Sequence, residues 1–387
     1  MSKIHFVNSP EKLERLVSSV AAEKWLALDT EFLREKTYRP ELCLLQIATP
    51  ELVACVDPLA LDSIDPILDV IYKPDVIKVL HAAGQDLEIF YWLRGEVPVN
   101  LFDTQVAAPL LGSQEQIGYA NLVSEVLNVN LSKSHSRADW TRRPLPSQQL
   151  QYAADDVIYL ARMYPIMRDK LKQLNRLHWL DSEWQNMTNP DLYEKPLEDI
   201  WKRLRGIDKL KGSRLAVAQQ LARWREVTAR ERNLPRNWLL KDDVLLDIAK
   251  QTPLSVGELK HIRGLNDGMI KSHGSVIIKN IKDSKDTTPV PAEHAKRKVK
   301  LTPDQDAALD LLTAVAKLHA RELEINPSIL APRKSIEELI KGDTSTDVMQ
   351  GWRGQLIGPA LQSVLDGDNS LKISNGSVVI SGSKDES

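Results

Sequence analysis

The feature that most constrains the fold is a change of sequence pattern near residue 210. Residues 1–180 alternate short apolar runs with segments of helical period, which predicts an α/β domain. Beyond residue 210 helical periodicity replaces the strand patterns, as in RLAVAQQLARWREVTARE. The charged, proline-containing stretch 286–300 predicts a linker, and a second helical unit follows it. The chain is therefore expected to form several domains.

Within the α/β region each apolar run is short enough for one strand. The predicted strands are Trp25–Glu31, Leu42–Ala48, Leu52–Asp57, Val76–His81 and Val99–Asp103. The predicted helices are Glu11–Ala22, Gln85–Leu93, Thr104–Leu111, Tyr119–Leu127 and a long one from Ser147, whose hydroxyl is expected to cap it, to about Leu174. At the C-terminus, Asn-Gly between alternating apolar residues permits a hairpin, and a frayed tail is the alternative.

Charge is distributed unevenly along the chain. Residues 1–200 carry 20 basic and 29 acidic residues, residues 201–300 carry 23 and 11, and residues 301–387 carry 8 and 13. A middle segment with a net charge of +12 favours a module that binds a polyanion, although a solvated lysine-rich surface gives the same count.

Several classes of protein are disfavoured. Cys43 and Cys55 both lie in apolar runs, which predicts buried thiols and a cytoplasmic location rather than a disulfide framework. No apolar stretch approaches the ~18 residues of a membrane span. No GxGxxG motif follows the first predicted strand, so a dinucleotide cofactor is not expected.

Paired carboxylates end the apolar run WLALDTEF. Period-two alternation places Asp29 and Glu31 on one face of the strand, where a divalent cation would neutralise them. A strand end at which both acids reach water is the alternative. Asp86 opens the helix after IKVLHA and is expected to face this pair, because ligands collect at the carboxyl ends of strands. It is also a residue type favoured in any first helical turn.

A third cluster lies in the long helix, where residues four apart share a face. Tyr152 and Asp156 are therefore expected to point together, and Asp155 elsewhere. Such a pair is also common on helix surfaces.

In order, DTE, HAAGQD and YAADD resemble the exonuclease motifs of the DEDD superfamily in its tyrosine-containing branch, and the ribonuclease D family in particular. The resemblance continues through NLFDTQVAA and SKSHSRADWTRRPL. It implies an α/β ribonuclease H-like exonuclease domain over 1–180, with a mixed sheet flanked by helices. It further implies that Asp29, Glu31, Asp86 and Asp156 hold two divalent ions, Mg²⁺ or Mn²⁺, and that Tyr152 positions the attacking water.

Other residues are expected to support the site. Asp103 matches a further acidic position of the family and, with His81, is expected to lie behind the ligands, although either can be a structural polar group. The loop after residue 132 is expected to contact RNA, or alternatively to be a polar loop held by one buried tryptophan. Its candidate RNA-binding residues are Arg137, Trp140, Arg142 and Arg143.

The helical units resemble HRDC domains, which are small all-α bundles. The first spans 207–285 after a connector at 181–206, and the fainter second spans 301–378 before a tail at 379–387. RNA contact is expected from the first unit and the linker, and domain packing from the second. The linker residues concerned are Lys296, Arg297, Lys298 and Lys300.

The sequence thus predicts a metal-dependent 3′→5′ exoribonuclease that releases nucleoside 5′-monophosphates. The expected substrate is RNA with a single-stranded 3′ end, with transfer RNA precursors as the expected case, and a monomer is expected. Activity on DNA or other RNAs is one alternative. A catalytically inactive RNA-binding scaffold is another, disfavoured because all four acids and the tyrosine are present.

Overall fold

The computed structural model of the chain describes residues 3–131, 138–285, 287–291 and 300–382. Its strands are β1 (Ile4–Val7), β2 (Trp25–Leu33), β3 (Glu41–Ala48), β4 (Val53–Val56), β5 (Ile77–Leu80), β6 (Leu101–Asp103), β7 (Asn369–Ser374) and β8 (Ser377–Gly382). Its α-helices are α1 (Pro10–Val20), α2 (Asp65–Ile71), α3 (Gly84–Arg94), α4 (Thr104–Ala107), α5 (Tyr119–Leu127), α6 (Ser147–Gln173), α7 (Asp181–Met187), α8 (Gly212–Glu231), α9 (Arg236–Leu239), α10 (Asp242–Gln251), α11 (Asp267–Asp283), α12 (Pro303–Glu322), α13 (Pro327–Leu330), α14 (Arg333–Ile340), α15 (Gly351–Leu356) and α16 (Gly358–Leu365).

The first six strands form one mixed sheet in the order β1-β4-β3-β2-β5-β6. β3 runs antiparallel to β2 and β4, and the remaining pairs are parallel. The mixed sheet flanked by helices that was predicted for this region is confirmed.

Both faces of the sheet are covered, which explains why its strands read as apolar runs. On β2, Ala27 packs in the core that includes the buried face of α6. Leu26 and Leu28 alternate to the opposite face and pack against α1, α2 and α3. The two faces of β2 therefore pack against different helices. The face on which a residue of β2 lies decides which helix its side chain can contact at the end of the strand.

The five predicted strands are present with ends shifted by at most two residues. Two elements were missed: β1, a four-residue edge strand with an exposed His5, and α2, which is too short to show a helical period. Two details were wrong. The segment after Asp103 divides into α4 and a 3₁₀ turn at Ala108–Leu111, and α6 has Pro146 as its cap residue, without a capping bond from Ser147.

The first helical unit packs α8, α10 and α11 around its own core. That core includes Ile200, Trp201 and Leu204, which lie in the segment that the sequence assigned to a connector. This unit therefore begins to pack before its first long helix.

The C-terminal unit, α12 to α16 and the hairpin, has no separate core among the described residues. Its apolar side chains join those behind α6 in one cluster. Trp179 and Trp352 stack with centroids 4.6 Å apart and planes 3° apart. Arg176 donates to the carbonyl oxygens of Leu110 (2.8 Å) and Leu323 (2.5 Å), so it links both sides of the contact. This unit packs against the rest of the protein, as expected.

Local sequence signals determine both ends of this unit. Thr302 caps α12 in a capping box with Gln305, and Pro303 occupies the first turn. Asn375 and Gly376 adopt positive φ values of 52° and 77° between β7 and β8, which gives the hairpin rather than a frayed end over residues 369–382. Among the described helices, none is both long and apolar enough to cross a membrane.

Candidate active site

Three carboxylates converge where β2 meets α6. Asp29 and Glu31 lie on the face of β2 that α6 covers, and Asp156 approaches from α6. One oxygen from each of these acids lies within 4.8 Å of the others. All three residues are partly buried.

Among the residues that the structure describes, no cation compensates these acids. Burial, followed by repulsion from Asp156 and Asp86, raises the pKa of Glu31 to about 8. Burial, followed by repulsion from Asp86 and Asp156, also raises the pKa of Asp29 well above its ordinary value. Within the described part of the chain, no ion pair joins Asp29, Glu31 or Asp156 to a lysine, arginine or histidine. Clustered carboxylate oxygens without a protein counter-charge suit a hard divalent cation.

Asp86 reaches the same end of the sheet from the opposite face. Thr30, which alternates away from its two acidic neighbours, donates from its hydroxyl to Asp86 Oδ1 at 2.5 Å. Asp86 is 7% exposed, and burial raises its pKa to about 7. Asp86 is not one of the three acids whose oxygens lie within 4.8 Å of one another, because α3 packs on the other side of β2. Its charge still raises the pKa of Asp29.

Tyr152 lies beside the acids, one helical turn before Asp156. Burial, and then repulsion from Asp156, Glu31 and Asp29, raises the pKa of Tyr152 above its ordinary value. Its phenol is therefore protonated at neutral pH and can act as a hydrogen-bond donor rather than as a base. Asp155 accepts a 2.8 Å hydrogen bond from Gln151 and lies outside the cluster, as expected.

Two residues that sequence reasoning did not single out hold the site together. Thr30 fixes Asp86, and the signal that could have found it is its place in the middle of the acidic motif, where alternation turns it to the other face of β2. Tyr119 on α5 donates from its hydroxyl to the carbonyl oxygens of Asp155 (3.0 Å) and Asp156. Nothing in the spacing of Tyr119 indicated this contact, since the two helices meet only in the folded chain.

Asp103 and His81 lie at the turn that precedes Asp86. Asp103, 1% exposed, accepts from the backbone amides of Ala82 (3.0 Å) and Ala83 (2.8 Å) and also caps α4. It thereby fixes the turn that leads into α3 and Asp86. His81 Nδ1 lies 2.9 Å from Thr104 Oγ1, and burial lowers the pKa of this histidine, so it is neutral near pH 7.

Two of the loop residues predicted to bind RNA, Trp140 and Arg143, have other roles in this structure. Trp140 is 5% exposed and packs near Tyr152, so the alternative of a loop held by one buried tryptophan is correct at this position. Arg143 pairs with the buried Asp57 at 2.6 Å and donates to the carbonyl oxygen of Cys43. The prediction is corrected for these two residues, because neither the ring nor the guanidinium is available to a ligand.

Six predicted RNA contacts remain, and the structure describes two of them. Arg142 and Lys300 are exposed on different parts of the chain. Four others lie outside the described residues: Arg137, Lys296, Arg297 and Lys298.

This acidic cluster, at the end of a mixed sheet covered by helices, defines a metal-dependent exonuclease. Residues 4–172 match the family model described as 3'-5' exonuclease, and residues 214–281 match the HRDC domain. Ribonuclease D of Bartonella henselae is 35% identical to this chain over 95% of this chain and 91% of the relative. Ribonuclease D of Jannaschia sp. is 37% identical over 95% of this chain and 96% of the relative.

The crystal structure of Escherichia coli RNase D, described as an exoribonuclease involved in structured RNA processing, matches with a TM-score of 0.79. It is 31% identical, and the match covers 94% of this chain and 99% of that one. The chain belongs to the ribonuclease D family. It is a hydrolase that acts as a 3′→5′ exoribonuclease and depends on divalent metal.

The charge repulsion in the site predicts a pH-dependent effect of metal on stability. Folding raises the pKa values of these acids, so it favours their protonated forms, and metal-free protein should lose stability as the pH rises from about 5 to about 8. Mg²⁺ at 100-fold excess over Kd should restore about 2.7 kcal/mol at the upper end of this range. Thermal unfolding in EDTA and in Mg²⁺ across this pH range measures both effects.

The matched variant for this experiment is Asp29→Asn. It should melt higher than wild type in EDTA at about pH 8, and it should gain less from Mg²⁺, because the amide relieves the repulsion and is a weaker ligand. Equal gains from Mg²⁺ in both proteins would contradict binding at this cluster.

Proposed function

We propose that this chain removes nucleotides one at a time from RNA with a single-stranded 3′ end and releases nucleoside 5′-monophosphates. Two divalent ions, Mg²⁺ or Mn²⁺, would be held by Asp29, Glu31, Asp86 and Asp156. The observation that carries the proposal is the convergence of three carboxylates within 4.8 Å without a protein cation among the described residues.

Each group of the chain has a defined task in this proposal. When bound, the divalent ions would lower the pKa of the attacking water and stabilise charge on the leaving 3′ oxygen. Asp29 and Glu31 are fixed by the strand, and Asp156 by α6, so the cation site is preorganised before substrate arrives. Tyr152, protonated, would donate a hydrogen bond that orients the water or the scissile phosphate. Thr30 holds Asp86 in place from the far side of β2.

The finer assignments are also part of the proposal. We place the chain in the tyrosine-containing branch of the DEDD superfamily on the positions of Tyr152 and Asp156. Transfer RNA precursors are the proposed substrates, the cytoplasm the proposed location, and a monomer the proposed state. The C-terminal unit, with five short or long helices on the α6 side of the protein, is proposed as a second, diverged HRDC-like bundle.

Digestion of an end-labelled RNA with a single-stranded 3′ tail tests the function. A stepwise ladder of 3′-shortened products should form with Mg²⁺ or Mn²⁺ and disappear in EDTA. Product chromatography should identify nucleoside 5′-monophosphates. Binding of this RNA without any shortening in either metal would instead support the inactive scaffold, and equal shortening of the matching DNA would support the broader substrate range.

Replacement of Tyr152 by Phe tests its proposed role separately. Loss of one oriented hydrogen bond in the transition state should lower kcat by ~10²-fold or more, with little change in KM. Single-turnover kinetics with saturating enzyme measures the chemical step directly. A raised KM with unchanged kcat would show that Tyr152 binds RNA and does not assist the reaction.

A further inference from the structure

A concave surface lies between the exonuclease domain and the first helical unit. This interdomain cleft has a volume of about 540 Å³. The loop after β2 and the outer face of α3 form one wall, and the segment around residues 192–204 with the start of α9 forms the other. The acidic lining residues are Glu35, Glu88 and Asp242, and the basic ones are Arg34, Arg203, Arg225 and Arg236.

Two residues of the cleft wall lie a short distance along the chain from acids of the active site. Arg34 follows Glu31 by three residues, so the two lie within ~10 Å along the chain. Trp92, in the cleft wall, follows Asp86 by six residues of α3, a rise of ~9 Å. A strand whose 3′ end enters the active site therefore has this cleft within reach of its next nucleotides.

Interdomain hydrogen bonds fix the shape of the cleft. Asn233 Oδ1, at the end of α8, accepts from the backbone amides of Tyr38 and Arg39, both at 3.1 Å. Glu226, 1% exposed, accepts from the Tyr38 hydroxyl and from Arg230 Nε. The first helical unit is thus held against the loop that follows the catalytic strand, and the cleft is preformed.

The lining of the cleft carries four arginines and three acids, a net charge of +1. Glu88 is paired with Arg34 at 2.5 Å, and Asp242 with Arg225 at 2.7 Å. Arg203 and Glu35 are both exposed and take part in none of the ion pairs formed by the described residues, so one unpaired charge of each sign faces the cleft. The surrounding unit, residues 207–285, carries 16 basic and 9 acidic residues. Phosphates arriving here meet a positive field from both the cleft and the unit behind it.

We propose that the interdomain cleft binds the backbone phosphates of the nucleotides immediately 5′ to the one being removed, with Arg203 and Arg34 as the main contacts. This inference rests on the proposed function and assigns an RNA path to it. A polar groove that tracks a charged backbone suits a single strand of any sequence, which a trimming enzyme must accept. Arg34 would exchange its partly buried partner Glu88 for phosphate when RNA enters.

The test compares the variants Arg203→Glu and Arg34→Gln with the control Arg263→Glu. Arg263 is an exposed residue of the first helical unit that does not line the cleft. For a single-stranded RNA of about ten nucleotides, each cleft variant should raise KM about tenfold, the size of one missing charge-assisted hydrogen bond, with kcat unchanged. The slope of log Kd against log salt concentration should flatten by about 0.7 for each phosphate that the variant no longer binds. For a dinucleotide without a 5′ phosphate, whose only phosphate is the one attacked, kcat/KM should not change.

Fluorescence anisotropy of the same RNA in EDTA gives Kd without catalysis, so the two proposals are tested separately. A wild-type enzyme that never shortens RNA would reject the proposed function, and Kd would still report on the cleft. An unchanged Kd and KM in both cleft variants, or the same weakening in Arg263→Glu, would overturn the cleft proposal. So would an equal weakening with the dinucleotide.

Discussion

Replacement of Asp156 by Asn is expected to lower kcat for RNA hydrolysis by at least ~10²–10³-fold, the cost of removing one preorganised group that stabilises transition-state charge. Asp156 supplies one of the three oxygens that lie within 4.8 Å of one another, and no neighbouring acid on α6 replaces it. The Kd for RNA should change little, since the cleft and the helical units are untouched. Steady-state kinetics and anisotropy measure the two quantities independently.

Asp155 provides the matched control, because it is adjacent on the same helix but outside the cluster. Asp155→Asn should retain near wild-type kcat. The Asp156→Asn protein should also be no less stable than wild type without metal, because burial and the charge of Asp155 raise the pKa of Asp156 to about 7. A large fall in melting temperature would mean that the missing activity reflects misfolding, and comparable losses in both variants would contradict the assignment.

Replacement of Trp352 by Ala is expected to lower the free energy of unfolding by about 3–5 kcal/mol, the usual cost of removing a large buried aromatic side chain. The ring is 8% exposed, stacks on Trp179 and carries the Arg353 guanidinium 4.4 Å from its centroid. The variant removes both the stacking and the cation–π interaction, and the resulting space lies between the C-terminal unit and the rest of the chain. Urea unfolding followed by circular dichroism measures the change.

Trp238→Ala is the control for this experiment. That side chain is 57% exposed on the first helical unit, so its removal should change stability by no more than ~0.5 kcal/mol. If the two variants unfolded alike, the C-terminal unit would not be packed through Trp352. If only Trp352→Ala produced a separate transition at low urea concentration, Trp352 would pack the C-terminal unit against the protein. The unit would then be able to unfold independently.

Strand β2 illustrates which features of the site a sequence pattern can predict. Alternation along WLALDTEF fixes the shared face of Asp29 and Glu31, and helical spacing pairs Tyr152 with Asp156, since both are local rules. The position of Asp86 depends on which side of the sheet α3 packs, which is a tertiary choice. Its partner Thr30 was therefore missed, although the residue stands between the two acids.

The loop at Trp140 and Arg143 illustrates the opposite limit. Cations and a tryptophan next to an acidic site favour nucleic-acid contact by composition, yet the partners of Arg143, Asp57 and the Cys43 carbonyl, lie 86 and 100 residues away in the chain. Composition cannot distinguish a side chain that is free to bind a ligand from one that already forms hydrogen bonds with a strand distant in sequence. The interdomain cleft was invisible for the same reason, because its two walls come from separate domains.

The shared core behind α6 has a consequence for deletion mapping. Tyr152 and Asp156 occupy the first part of this 27-residue helix, and one apolar cluster extends from Ala153 beside them to Trp179 and Trp352. A protein shortened before α12 would present the uncovered face of Trp179 and its neighbours to water, and it would be prone to aggregate. Such a truncation could abolish activity because α6 would lose the side chains that pack against it. That result would not show that the missing segment recognises substrate.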